Sequence, residues 1–250
     1  MTSENTVRPG TRRLRADRAR QVADVLRQQV LSEAFGDGPL PHEEQLAGEF
    51  GASRNTVREA LDLLRGEGLV RRVPGSGTLV VADKVPHGLD RLKGLAETLR
   101  EHGEVVNEVR AFGPVRAPGP VARRFGLPQG ADVVYVERLR RLNGLPLSLD
   151  LTYLAPDIGA ELDAADLAHR DIFRLIEEIA GQPLGRADIT LEAVSADPHS
   201  AAVLEVPHGA ALLMLERLTT LADGRPVDLE YIRFRGDRIT MQGRLLRDVP

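Results

Sequence analysis

Residues 40–80 read LPHEEQLAGEFGASRNTVREALDLLRGEGLVRRVPGSGTLV, and this stretch decides the fold of the first third of the chain. Leu46, Ala47 and Phe50 share one face of a short helix over 43–50. Gly51-Ala52 makes a tight turn. Ser53 is a good N-cap, because its hydroxyl can take up an orphan backbone N–H. A helix follows from Arg54 to Glu67, with Val57, Ala60, Leu61 and Leu64 at helical spacing, and Gly66 and Gly68 end it. Leu69–Val73, the turn Pro74-Gly75-Ser76-Gly77 and Thr78–Val81 predict a β-hairpin. Upstream, Ala19, Val22, Ala23, Leu26 and Val30 predict an amphipathic helix over 17–33, before Gly36, Gly38, Pro39 and Pro41 break the chain. Helix, short helix, glycine turn, helix and hairpin make the plan of a winged helix-turn-helix, assigned to residues 17–81.

That plan needs a helix whose outer face enters a major groove. Arg54, Asn55, Thr56 and Arg58 occupy the first turns of the third helix, opposite the Val57/Ala60/Leu61 stripe. N-terminal residues of a recognition helix reach base edges. An arginine can pair bidentately with guanine, worth about 1–3 kcal/mol of discrimination. The small residues of the hairpin tip, Gly75 and Ser76, allow close approach to the backbone or the minor groove. Arg71 and Arg72 flank the tip and suit phosphates.

The stretch 40–80 resembles the DNA-binding domain of GntR-family bacterial repressors, almost without a gap. The resemblance implies that Ser53, Arg54, Asn55, Thr56 and Arg58 contact an operator, with Gly75 at the wing. Two positions depart from the family. His42 stands where Ser or Ala is usual, and Glu44 where Arg is common. A carboxylate near phosphates is repulsive, so Glu44 either turns away or accepts from a cytosine amine. The departure bears on which operator is read.

The charge distribution fits a chain in two parts. The net charge of 250 residues is −4. Residues 1–84 carry +1 and residues 85–250 carry −5. Residues 8–20 hold Arg8, Arg12, Arg13, Arg15, Arg18 and Arg20 against the single acid Asp17. One part suits a polyanion and the other something else. Residues 1–16 read as a disordered basic arm, either solvated or tracking phosphates. Arginine outnumbers lysine 31 to 2, a bias that reflects GC-rich bacterial codons.

Composition excludes several classes. The chain has no cysteine, which removes disulfides, thiolate zinc sites, iron–sulfur clusters and cysteine nucleophiles, and fits a reducing cytosol. No apolar run reaches the about 18 residues of a membrane-spanning helix, and the first twenty residues lack the apolar core of a secretory signal. A cytoplasmic protein without membrane contact is expected. No cofactor and no metal are expected, because the six histidines are scattered, mostly in loops.

Residues 82–90, ADKVPHGLD, read as a linker. Beyond it the chain repeats itself. Residues 125–150 align with 204–230, placing Arg138 on Arg217, Arg140 on Thr219, Gly144 on Gly224 and Asp150 on Glu230. Each unit reads strand (105–115 or 188–196), short helix (118–126 or 198–205), strand, tight turn, strand. Asn143-Gly144 and Asp223-Gly224 are preferred hairpin turns. Together they predict about six mostly antiparallel strands. A helix at 171–180 joins the units, and another at 89–101 packs on the sheet or on a second subunit. The fold class is α+β.

This second part, assigned to residues 91–246, resembles the UTRA effector-binding domain of the HutC-type branch of GntR regulators. The resemblance implies a chorismate-lyase-like sheet around a small-molecule pocket, dimerisation, and a metabolite that alters the DNA-binding heads. In this branch paired arginines contact the anionic part of the effector, here Arg138 and Arg140. Two residues apart on a strand, they share a face, and two guanidiniums there want an anion between them. Arg140 breaks the repeat and is the better candidate for an asymmetric ligand contact. Family ligand positions also fall on Asp150, Tyr153, Arg186, Asp228 and Phe234, and Glu230 joins them as the repeat partner of Asp150. In the alternative, Asp150 and Glu230 cap hairpins on a solvated face.

Two other classes are weighed. A lyase-like enzyme fused to a DNA-binding head would need a nucleophile–base constellation, an HExxH or a phosphate loop, and none is present. A constitutive, plasmid-type regulator would have a degenerate pocket and no ligand. The favoured partners are a pseudo-palindromic operator, a small anionic metabolite and a second copy of the chain.

Overall fold

The computed structural model describes residues 9–32, 34–36, 38–81 and 84–247. The chain divides into two compact units, Met1–Lys84 and Val85–Pro250.

The first unit runs α1 (Pro9–Leu31), α2 (Glu43–Glu49), α3 (Arg54–Gly66), β1 (Val70–Val73) and β2 (Gly77–Val80). Val22, Ala23, Leu26 and Val30 of α1 close on Leu46 of α2 and on Val57, Ala60, Leu61 and Leu64 of α3. Each fully buried leucine there contributes about 1.5–3 kcal/mol. Ser53 caps α3, its Oγ accepting the Thr56 N–H at 3.1 Å. Arg27 of α1 donates through Nε to Glu67 at 2.7 Å, and Arg18 donates through Nη2 to the Phe50 carbonyl at 2.8 Å. β1 and β2 pair antiparallel, and Leu40 N–H donates to the Thr78 carbonyl at 2.7 Å, tying the loop before α2 to the wing.

α1 begins inside the expected disordered arm. Pro9 suits a first helical position, since its φ is already helical, and the arginines that follow are good helix formers. Residues 1–8 of that arm lie outside the described residues.

The second unit runs β3 (Val85–Gly88), α4 (Leu95–Leu99) with a 3₁₀ turn (Arg100–His102), β4 (Val105–Arg116), α5 (Gly119–Phe125), β5 (Asp132–Leu142), β6 (Leu145–Leu154), α6 (Pro156–Gly159), α7 (Ala164–His169) and α8 (Ile172–Ala180). It continues with β7 (Leu184–Ser195), α9 (Pro198–Leu204), β8 (Ala211–Leu221), β9 (Pro226–Arg235) and β10 (Ile239–Gln242). Six strands form one antiparallel sheet in the order β4-β5-β6-β9-β8-β7. The two repeated units are its two halves, meeting at β6 and β9. At the first hairpin both Asn143 and Gly144 have positive φ, which explains their choice there.

One sheet face carries Leu139, Leu149 and Leu212 against Ala201 and Leu204 of α9. The other carries Ile232 and Phe234 against Leu95 and Leu99 of α4, Val85 of β3 and Ile239 of β10. Part of the expected linker is thus a strand. Within 82–90, Val85–Gly88 pairs in parallel with β10, with Val85 and His87 inward and Pro86 and Gly88 outward. The expected helix at 89–101 is shorter, because Gly94 starts α4 and Asp90 instead accepts the Arg244 N–H at 2.5 Å.

Candidate functional site

The first unit presents an exposed face built on α3 and the wing. Ser53, Arg54, Asn55 and Arg58 are exposed there, as are Arg71, Arg72, Gly75 and Ser76 on the hairpin. Gly75 holds a φ of +81°, a conformation that a side chain would strain, so the tip stays narrow. Thr56 departs from its expected place. It is buried, and its hydroxyl lies 2.8 Å from that of Ser53. It closes the N-cap rather than facing outward, because a helical residue two positions after Arg54 turns toward the core.

Two carboxylates of α2 meet this face. Glu44 pairs with Arg54, and Glu43 accepts from Arg58 Nη2 at 2.8 Å. The Arg58 hydrogen bond holds Glu43 below its usual range, with the charges of Arg58, Arg72 and Arg54 adding to the effect. Both pairs are exposed, so each is worth little to folding. Glu44 therefore turns onto the arginine itself.

The second unit buries a cluster of charges on one face of its sheet. β5 supplies Arg138 and Arg140, β6 supplies Ser148, Asp150 and Thr152, β9 supplies Asp228 and Glu230, and β8 supplies Arg217 and Thr219. Arg138 is 1% exposed, Arg140 4% and Asp150 0%. Strand alternation puts these residues on one face, and the register sets Arg138 opposite Asp150 and Arg217 opposite Glu230.

Their hydrogen bonds are uneven. Arg217 donates to Glu230 through Nε at 2.7 Å and through Nη2, and its guanidinium lies 4.5 Å from the centre of the Phe173 ring on α8. Arg140 Nη2 donates to Asp150 Oδ2 at 2.8 Å, while Ser148 Oγ donates to Oδ1 at 2.6 Å. Arg138 Nη2 stands 3.8 Å from Asp150, too far for a hydrogen bond. Nε and Nη2 of Arg138 and Nε and Nη1 of Arg140 are buried with no hydrogen-bond partner in the protein. So are the hydroxyls of Thr152 and Thr219 and both carboxylate oxygens of Asp228. A neutral buried group left unsatisfied costs about 1–3 kcal/mol, and a charged one more. Burial, and then the neighbouring Arg140, lowers the pKa of Arg138. Burial, with Glu230 beside it, pushes Asp228 well above the usual carboxylate range, toward its protonated form.

Of the residues expected to hold an effector, Arg138, Arg140, Asp150, Asp228 and Glu230 come together. Asp150 and Glu230 are buried and ion-paired, which overturns the reading of caps on a solvated face. Phe234 shares their face within an apolar cluster. Tyr153 does not join them. It lies on the opposite face of β6, its ring 5.4 Å from that of Tyr135, because it is an odd number of residues from Asp150. Arg186 is exposed on β7, at the rim of a cavity of about 260 Å³. Sequence reasoning missed Arg217, Thr152, Thr219 and His87. Arg217 was readable as the repeat partner of Arg138. His87 lay in the supposed linker, although Val85 and His87 already show the period of two of a strand. Among the described residues no group of three His, Asp or Glu could hold a metal ion, and no helix is long and apolar enough to cross a membrane.

Residues 18–80 match the bacterial regulatory proteins of the gntR family, and residues 100–240 match the UTRA domain. The transcriptional repressor NagR of Bacillus subtilis (strain 168) is 29% identical over 222 residues, 88% of this chain and 91% of that protein. The histidine utilization repressor of Pseudomonas putida is 25% identical over 206 residues, 82% of this chain and 82% of that protein. The crystal structure of PhnF from Mycobacterium smegmatis covers 91% of this chain and 100% of its own at a TM-score of 0.64 and 23% identity, a likeness of fold. These relatives place the chain among DNA-binding regulators rather than enzymes.

Proposed function

Because the chain belongs to the gntR family of transcriptional regulators and carries the UTRA domain of its HutC-type branch, we propose that it is a cytoplasmic repressor released from its operator by a small anionic metabolite. The observation that carries the effector half is the pair Arg138 and Arg140, whose buried guanidiniums keep donors without acceptors. An anion supplies the acceptors and offsets the repulsion between the two cations. A neutral, apolar effector would leave that cost in place. Arg186, on the cavity rim, is the outer candidate for the same anion.

The DNA half rests on Arg54, Asn55 and Arg58, with Ser53 beside them and Arg71, Arg72, Gly75 and Ser76 on the wing. Arg54→Ala or Arg58→Ala should lose about 1–3 kcal/mol and relax base preference at one position per half-site. Arg72→Ala should weaken all sequences alike and lower the salt slope by roughly one. Binding titrations against a randomised operator library separate the two effects. An Arg54→Ala protein with unchanged affinity and preference would remove α3 from the reading role.

The regulator acts as a homodimer on a pseudo-palindromic site, since one head alone buries little surface and twofold dimers read two half-sites. The outer strands of the sheet expose Val106, Phe112 and Val115 on β4 and Ile189 and Leu191 on β7, apolar surface suited to a second copy. Sedimentation should return a dimer with and without DNA, and a monomer in both conditions would refute dimerisation.

A further inference from the structure

His87 is the inward-facing polar residue of β3, the first element beyond Lys84. It is 4% exposed, and its Nδ1 is buried with no hydrogen-bond partner in the protein. Its side chain lines the 260 Å³ cavity together with Arg217 of β8 and Arg186 of β7. Asp90, Arg91 and Lys93, from the segment after β3, line the same cavity, and Asp90 is engaged by the Arg244 N–H. Four cations line the cavity, of which Arg217 is paired with Glu230 and Arg186 with Asp188, against one lining carboxylate, Asp90, that already accepts a hydrogen bond. Arg140 of β5, in the buried cluster, is near enough for its charge to act on His87, and the carbonyl of Arg238, just before β10, accepts the Val85 N–H two residues away. Glu230 of β9 is spent on Arg217.

The unpartnered Nδ1 of His87, set among these cations, is placed to hold a proton once an anion enters. We propose that the pocket takes up its anion together with one proton, and that His87 carries that proton. The ligand class is a compact dianion, a phosphate monoester or a dicarboxylate. The proton comes from solvent, both ring nitrogens then bear hydrogen, and the imidazolium donates to the anion. The inference rests on the effector pocket proposed above and adds a regulation to it, since the anion is held more tightly as pH falls.

Without the anion, burial first and then the charges of Arg217 and Arg140 hold His87 down at about 4, so it is neutral near pH 7. A bound dianion reverses the charge around the ring and raises that value. Linkage fixes the sign. Between the anion-free and anion-bound values the complex binds one more proton than the free protein, and affinity falls up to about tenfold per pH unit as pH rises. Outside that window affinity is flat.

The probe is sodium sulfate, which stays doubly charged throughout. Calorimetric titration of the full chain is run at pH 5.5, 6.5 and 7.5 in paired buffers of low and high ionisation enthalpy. The wild type should take up close to one proton per sulfate at pH 5.5 and bind about tenfold more tightly there than at pH 6.5. His87→Gln should bind without proton uptake and with one affinity at all three values, whereas His102→Gln, an exposed control, should behave as wild type. In the wild type, the ring resonance of His87 should titrate near pH 4 alone and at clearly higher pH with sulfate, a readout that needs no variant. A pH slope and proton uptake that survive His87→Gln, or a ring titration that sulfate does not move, overturn the proposal. If sulfate binding is then still lost in Arg140→Ala, the pocket stands and only the role of His87 falls. Sulfate that binds at no pH overturns both.

Discussion

Glu230→Ala is expected to destabilise the second unit by about 3–5 kcal/mol, because it leaves the guanidinium of Arg217 buried without its carboxylate. Arg217 is buried with its guanidinium over the Phe173 ring of α8, which restrains it from turning out to solvent. For a unit of this size the melting point should drop on the order of 10 °C. Glu230→Gln keeps an acceptor and should lose less. Replacing Arg217 and Glu230 together by methionine and leucine should cost much less than the single change, since a buried pair is often nearly neutral against apolar residues of similar volume. Thermal melts of the four proteins check the series. A Glu230→Ala protein that melts with the wild type would mean that Arg217 has another partner.

Arg140→Ala should leave operator affinity near normal and abolish release by the effector, once a melting-shift screen of anionic metabolites has identified it. The two functions reside in different units, so the head keeps its reading face while the pocket loses its central donor. The coupling lost is about 1–3 kcal/mol, the usual range for two linked sites. Reciprocity makes the measurement strict. In the wild type, DNA must weaken effector binding by the same factor that the effector weakens DNA binding. Should Arg140→Ala destroy operator binding and leave effector affinity intact, Arg140 is structural and the pocket lies elsewhere.

The first unit was legible almost residue by residue, because its signals are local. The Ser53 cap, the Val57 to Leu64 stripe and the Pro74–Gly77 turn each work within a few positions. Thr56 was misplaced because the sequence marks it only as polar, whereas the cap recruits its hydroxyl inward. The six-stranded sheet was readable through the repeat, which supplied hairpins twice over. The charge cluster was legible only in part. Alternation puts Arg138 with Arg140, but the position of Arg217 beside Glu230 depends on the register between β8 and β9. Tyr153 was assigned by resemblance against the same alternation, and alternation prevailed. β3 escaped notice because its partner, β10, lies at the far end of the unit, and a long-range parallel pairing leaves no local turn signal.

The repeat also bears on how the chain assembles during synthesis. β6 leaves the ribosome well before β9, and until β9 arrives its inner edge can recruit a β6 strand from another nascent chain. The buried charges oppose that error. The first half contributes Arg138 and Arg140 against Asp150, and the second contributes Arg217 against Asp228 and Glu230. Two first halves pressed together would bury four guanidiniums against two carboxylates, whereas two second halves, with Asp228 held toward its protonated form, would bury Arg217 and Glu230 in balance. The first mismatch cannot hide its surplus from a low-dielectric interior. The two halves share one strand pattern yet differ in their buried charge, so the first half disfavours pairing with its own kind. The buried arginines whose donors lack partners thereby favour pairing within a single chain, and β3 can pair with β10 only once the C-terminal end of the unit has been made.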